Sequence, residues 1–245
     1  MRVLQDSPHH ATIPPVMTWL RCAVCDHVFT DGYHAPEIAE RMFNFVGANA
    51  KTNTSLAMLE NMRPVSGRRV ERVFHHVAGG DWLDIGFGSG SLLLTAQEWG
   101  YTPVGIDARE GNVAFLQSLH VEAYWTSLEQ FNPPDGRFSV VSMTDVLEHL
   151  PFPVVALQKV YRWLRPAGVL FIAVPNMSSA IWTLMEREHD QAYWASLEHY
   201  HNFTRERLYA LLQAHGFTPV QYAVSERYRA GMEIIAIKPH LFRNA

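Results

Sequence analysis

The sequence predicts an α/β protein built on a doubly wound, mainly parallel sheet, and three observations carry that expectation. Short apolar runs alternate with segments of helical periodicity between about residues 82 and 174. The first run, Trp82-Leu83-Asp84-Ile85, ends in the turn Gly86-Phe87-Gly88-Ser89-Gly90 and passes straight into the helical pattern Ser91-Leu92-Leu93-Leu94. The run Val169 to Val174 is apolar without a break, which suits a central parallel strand covered on both faces.

Composition sets the frame. With 245 residues, 48% of them apolar, the chain can bury a sizeable core without staples. A formal charge of −4 argues against a broad nucleic-acid face. Met1 to His10 lacks the apolar core of a secretion signal, and Val169 to Val174 is far too short to span a bilayer. A cytoplasmic protein with no membrane span is expected. Neither repeats nor low-complexity tracts occur, and nothing in the sequence specifies an oligomeric state.

Residues 1–35 hold both cysteines, Cys22 and Cys25, in a stretch that reads as strand, knuckle and strand. A two-residue gap is a metal or redox spacing. Tetrahedral zinc needs four ligands, so the other two would come from His9, His10, His27 or His34. The competing reading is a knuckle held by packing alone. Thioredoxin-like redox chemistry fits less well, because no βαβ pattern surrounds the pair.

Residues 36–78 read as a helical lead. Ile38, Met42 and Phe45 fall at helical spacing, as do Leu56, Leu59 and Met62. Pro64 and Gly67 punctuate the pattern, and Val70, Val73, Phe74 and Val77 form the stripe of a following helix. This lead either lies over a ligand mouth or simply packs on the core.

The remaining elements follow in order. Ser91 to Trp99 is a helix stopped by Gly100. Pro103 enters the second strand, where it calls for an edge position, and Val104-Gly105-Ile106 leads to Asp107. Arg109 to Leu119 is the next helix, Val121 to Tyr124 the third strand and Phe138 to Thr144 the fourth. Asp145 to Leu150 crosses the end of that strand, where ligands of open α/β sheets collect. Pro153 opens a helix whose stripe is Val154, Leu157, Tyr161 and Leu164, and Arg165 to Gly168 turns into the fifth strand. Residues 175–203 interrupt the alternation with Trp182, Met185, Tyr193, Trp194, His199, Tyr200 and His201. Aromatics this dense beside a strand end read as a substrate cap, against the alternative of ordinary helix packing. Thr204 caps a helix from Arg205 to His215 that ends at Gly216, and the strands Thr218 to Ala223 and Met232 to Lys238 close the chain.

The glycine turn reads as a cofactor cradle, since amide groups at a helix start face a ligand. A dinucleotide fingerprint would place its third glycine at position 91, where Ser stands. Asp84, two places before Gly86, would repel a pyrophosphate and suits a cationic ligand. S-adenosylmethionine carries a sulfonium, an amino group and one carboxylate. Asp107, 23 residues after Asp84, stands close to the spacing at which a carboxylate reaches a ribose diol.

Leu83 to Gly90, Gly105-Ile106-Asp107, Asp145-Val146-Leu147-Glu148-His149-Leu150, and Leu164-Arg165-Pro166-Ala167-Gly168 through Pro175-Asn176 resemble a class I S-adenosylmethionine-dependent methyltransferase. The similarity, from about Gly79 to about Lys238, is to the branch of the ubiquinone-biosynthesis O-methyltransferases. It implies a Rossmann-like seven-stranded sheet, mostly parallel with the last strand antiparallel, in a domain of residues 79–245 with its cap at 175–203. The implied cofactor contacts are Asp84, Gly86, Phe87, Gly88, Gly90, Asp107, Ala108, Ser127, Leu128, Thr144 and Leu147. The family's acidic adenine residue is missing from Trp125-Thr126-Ser127-Leu128, so Ser127 or a backbone amide would meet the adenine edge, with Leu128 on the ring face. His149 would be the base, against a role in capping or packing the loop. The same region resembles a divalent metal site in that branch, with Asp145 here in place of a Glu before Glu148-His149. Some similar proteins also carry a zinc ribbon with two knuckles, of which Cys22/Cys25 would be one.

The expected function is S-adenosylmethionine-dependent methyl transfer to a small-molecule acceptor at an oxygen, releasing S-adenosylhomocysteine. Transfer to a nitrogen, a carbon or a sugar, a non-catalytic binding module, and a nicotinamide oxidoreductase are the alternatives. No nucleic-acid partner is expected.

Overall fold

The apolar runs assemble into one seven-stranded sheet, and the residues between them supply its helical faces. The computed structural model describes residues 2–3, 18–35, 38, 56–188, 192–228 and 230–240. Met42 and Phe45 of the lead, and His9 and His10 near the N-terminus, lie outside the described residues.

Strands β1 (Arg2–Val3), β2 (Thr18–Arg21) and β3 (Val28–Thr30) form a small antiparallel sheet, and helix α1 (Leu56–Phe74) follows. The main sheet then alternates with helices: β4 (Gly80–Ile85), α2 (Ser91–Glu98), β5 (Tyr101–Asp107), α3 (Glu110–Ser118), β6 (Glu122–Trp125) and β7 (Phe138–Thr144). A 3-10 turn at Leu147–His149 precedes α4 (Pro153–Trp163) and β8 (Leu164–Pro175). Residues 175–203 carry α5 (Ala180–Arg187), α6 (Ala192–Ala195) and β9 (His201–Asn202), followed by α7 (Arg205–Ala214), β10 (Thr218–Val224) and β11 (Gly231–Ile237).

The main sheet runs β10-β11-β8-β7-β4-β5-β6. The five strands from β6 to β8 are parallel, and β11 lies antiparallel to both neighbours, as the sequence led us to expect. Strand order reverses between β4 and β7, so the chain ends of those strands open a crevice at the switch point.

Three local departures have physical reasons. Leu56–Phe74 is one helix through Pro64 and Gly67, because Pro64 lies on the exposed face, where water can serve the carbonyl its missing N–H would have bonded. Strand β5 is interior, yet Pro103 is tolerated because β6 begins pairing only at Val104, leaving that point open. Arg165 to Gly168 is absorbed into β8 as an irregularity, with Ala167 at φ 58° and the register against β7 shifting between Phe138 and Val140.

The core lies on both sides of the sheet. Leu83, Ile85, Val141, Met143, Leu170 and Ile172 pack one face against α4 and α7, while Trp82, Val140 and Phe171 pack the other with α1 to α3. Helix α1 is also tied to the sheet by charge, since the buried Arg69 Nε donates to Glu233 Oε1 at 2.8 Å and Arg72 bonds the second oxygen. Strand β3 pairs with β9, and Trp19, Trp182 and Trp194 share one cluster, so the N-terminal hairpin is seated on the segment 175–203. No helix among the described residues is long and apolar enough to cross a membrane.

Candidate active site

Strand β4 delivers the glycine turn to the crevice. Gly86, Gly88 and Gly90 have φ of 67°, 58° and 77°, a left-handed region costly for any side chain. Space forbids one at two of them. A Cβ on Gly86 would stand 2.7 Å from Val146 Cγ2, and one on Gly90 2.5 Å from Leu116 Cδ2. The Gly86 amide bonds the carbonyl of Ile106 at 2.8 Å, fixing the turn against β5. A turn whose outer glycines are packed against Val146 and Leu116 and whose middle one, Gly88, stays open, at the start of α2, fits the expected nucleoside cofactor.

Asp107, at the end of β5, faces this turn. Its Oδ2 accepts the Gly88 amide at 2.9 Å, and its Oδ1 accepts the Arg109 amide at 2.9 Å. The Arg109 guanidinium also donates, from Nε to Oδ1 at 3.1 Å and from its terminal nitrogen to Oδ2 at 3.3 Å. Asp84 lies deeper. Its Oδ1 accepts from Ser142 Oγ at 2.6 Å, and that hydroxyl accepts from Trp82 Nε1 at 2.8 Å. Burial pushes the Asp84 carboxyl up to about 7, against the pull of the Ser142 hydrogen bond.

The other expected cofactor residues divide by exposure. Ala108 is exposed, and Thr144 and Ser127 are half-buried at or just past the ends of their strands. Phe87, Leu128 and Leu147 turn inward: Phe87 fills the space beside Gly105, and Leu128 and Leu147 belong to the main core. Trp125 was no part of the expected site, yet its indole is exposed and donates to the Ala108 carbonyl at 3.0 Å. Its place at the end of β6 was the available signal.

Across the crevice, the turn after β7 meets the segment 175–203. His149 Nδ1 donates to the Glu198 carbonyl at 2.8 Å, and its ring lies 4.6 Å from that of His199. Burial lowers His149 to about 4 and holds His199 well below the usual imidazole range. Glu148 is buried with Oε2 unpartnered, and burial, then Asp145, raises its carboxyl well above the ordinary value. Ligand atoms of Glu148, His149 and His199 all lie within 4.8 Å of one another. Asp145 is drawn elsewhere, accepting from Arg227 at 3.1 Å. The Asp145-Glu148-His149 arrangement expected for a divalent metal is therefore not the group that converges. Arg227 and Tyr228, on the β10–β11 hairpin, reach this site across more than 75 residues of sequence, with no local pattern to announce them.

The Cys22/Cys25 knuckle stands apart. Backbone N–H groups of Val24 and Cys25 bond the Cys22 sulfur and lower its thiol, and Asp26 takes a left-handed φ of 58° to close the turn. His27 Nε2 lies 3.0 Å from His201 Nδ1, and His34 Nε2 lies 3.2 Å from the Leu197 carbonyl. Among the described residues, no third ligand joins the two cysteines.

Comparison with known proteins agrees with this geometry. A family model described as a methyltransferase domain matches residues 58–222. The ubiquinone biosynthesis O-methyltransferase of Paramagnetospirillum magneticum is 32% identical over 122 residues, 47% of this chain and 49% of that protein. Its namesake from Pseudomonas aeruginosa is 29% identical over 107 residues, 41% of this chain and 46% of that protein. The chain thus spans about half the length of the curated relatives it matches. Among solved structures, a 1,6-didemethyltoxoflavin-N1-methyltransferase from Burkholderia thailandensis, with S-adenosylhomocysteine bound, superposes with a TM-score of 0.64 at 21% identity, covering 89% of this chain and 98% of that one. A magnesium protoporphyrin IX methyltransferase from Synechocystis, also with that ligand bound, gives 0.62 at 16% identity, covering 83% and 100%. At these identities the structures show a shared fold. With its seven-stranded topology and a family model matching more than half its length, the chain belongs to the methyltransferase-domain family, within the class I S-adenosylmethionine-dependent methyltransferases.

Proposed function

We propose that the protein transfers a methyl group from S-adenosylmethionine to a small-molecule acceptor, at an oxygen. One observation carries the reading: the Gly88 amide donates to Asp107, which joins a side-chain-free turn after β4 to a carboxylate at the end of the neighbouring strand β5. When bound, the cofactor supplies a methyl group on a sulfonium, already activated for displacement. The glycine turn and Asp107 then have to hold the nucleoside, and the cap has to hold the acceptor in line. Alignment of this kind supplies roughly 7–11 kcal/mol.

His149 is the base in this reading. Its Nδ1–H is committed to the Glu198 carbonyl, which leaves Nε2 as the basic nitrogen. Lowered to about 4, the imidazole stays neutral at physiological pH. So weak a base suits a hydroxyl that loses its proton late, as the new carbon–oxygen bond forms. The name shared by the O-methyltransferase relatives supports an oxygen acceptor.

In this reading residues 79–245 are the methyltransferase domain, with the lead and the N-terminal segment packed on it. Ser91, the first residue of α2, reaches Ser66 Oγ and the Leu59 carbonyl of α1, which sets α1 beside the glycine turn; in this reading residues 36–78 lie over the cofactor mouth. The Cys22/Cys25 knuckle serves residues 1–35 as a packing turn. Its place beside β9 makes the hairpin a brace for the cap, residues 175–203.

Incubation with S-adenosylmethionine labelled in the methyl group, against phenols, alcohols and amines, tests the reading. Label recovered as a methyl ether supports it. Label on nitrogen moves the acceptor class, and cofactor binding without transfer to any acceptor points to the non-catalytic module.

A further inference from the structure

We propose that Arg109 is an internal competitor for the cofactor's ribose, and that it sets cofactor affinity by covering Asp107. The inference rests on the cofactor reading above. A carboxylate has about four acceptor positions, two on each oxygen. All four of Asp107 are filled: the amides of Gly88 and Arg109 take one on each oxygen, and the Arg109 guanidinium takes the other two. A ribose diol needs the two that the guanidinium holds, since the amide bonds belong to the turn and to the start of α3.

Exposure and position agree with this. The Asp107 side chain is 2% exposed and that of Arg109 is 28% exposed, so the guanidinium is the solvent-side cover and the carboxylate lies beneath it. The same guanidinium stands 3.8 Å from where a Cβ of Gly88 would be, in front of the middle glycine of the cradle. Entry of the nucleoside therefore exchanges a forked ion pair for two hydroxyl hydrogen bonds. The arginine can leave toward water without disturbing either amide bond.

Calorimetric titration of wild-type protein, Arg109→Ala, Arg109→Lys and Asp107→Ala with S-adenosylhomocysteine tests the proposal. Arg109→Ala is expected to bind about fivefold more tightly, the upper end for release of a partly exposed ion pair, with Arg109→Lys in between. Raising salt from about 0.05 M to about 0.5 M screens the pair. It should tighten binding to wild type and leave Arg109→Ala unmoved. Weaker or unchanged binding by Arg109→Ala overturns the proposal, as does a salt response equal in both proteins. Asp107→Ala separates the two claims: if wild type binds and this variant binds equally well, the ribose reading itself fails, and the competitor role with it.

Discussion

Trp19 meets Trp194 edge-on at 5.4 Å between ring centroids, and its Nε1 donates to the Trp194 carbonyl at 3.3 Å. The contact joins the N-terminal hairpin to residues 175–203, the cap of the proposed reading, across 175 positions of sequence. Trp182 completes the cluster, 5.7 Å from Trp194. Replacing Trp19 by alanine removes a fully buried indole, at an expected cost of about 3–5 kcal/mol. If the hairpin braces the cap, urea denaturation shows that loss, and limited proteolysis cuts first within residues 175–203. A stability change below about 1 kcal/mol would mean the cap does not depend on the hairpin.

Asp107→Ala should weaken S-adenosylhomocysteine binding by about 1.5–3 kcal/mol, the range for hydrogen bonds to a charged group. Calorimetric titration measures it directly. Far-ultraviolet circular dichroism on the same sample checks that the Gly88 and Arg109 amides, left without their acceptor, have not unfolded the turn.

Asp84 gives a pH prediction. Its carboxyl is raised from 3.8 to about 7 in the folded protein, so the folded state holds the proton more tightly than the unfolded chain. The stability this contributes is fully present below about pH 3.8 and is lost progressively as pH rises to about 7. Asp84→Asn has no such proton to lose. The stability difference between variant and wild type should therefore move in the variant's favour from pH 4 to pH 7 and stay level above. Denaturation curves at several pH values read the trend, and a constant difference would place the Asp84 carboxyl back in its ordinary range.

Gly90→Ala tests the cradle as a packed object. The new Cβ would stand 2.5 Å from Leu116 Cδ2 in a backbone already at φ 77°. Strain and overpacking of this kind cost about 1–3 kcal/mol each. Thermal unfolding should show the loss, and cofactor affinity should fall as the turn shifts away from Leu116.

What the sequence disclosed depended on whether backbone or distance carried the information. The glycine turn and Asp107 were readable because left-handed backbone and a strand-end carboxylate leave a local mark. Interior strand β8 was readable from its unbroken apolar run, although its start at Leu164 was hidden by Arg165 and Pro166. Pro64 misled because one exposed proline does not outweigh the buried stripe of Ser66, Arg69, Val70 and Val73. The cover that Arg109 forms on Asp107 left no mark, since an arginine two residues after an aspartate is an ordinary sequence. His199 could be placed near the acceptor by position alone. Its convergence with Glu148 and His149, and the approach of Arg227 and Tyr228, arise from packing between distant segments.

The most direct test of the central claim is titration of the purified protein, by calorimetry, with S-adenosylmethionine, S-adenosylhomocysteine and NAD in parallel. The account predicts saturable one-to-one binding of both sulfur ligands and no heat from NAD. Binding of NAD alone, or of none of the three, would contradict it and leave the glycine turn a structural element with a different ligand or with none.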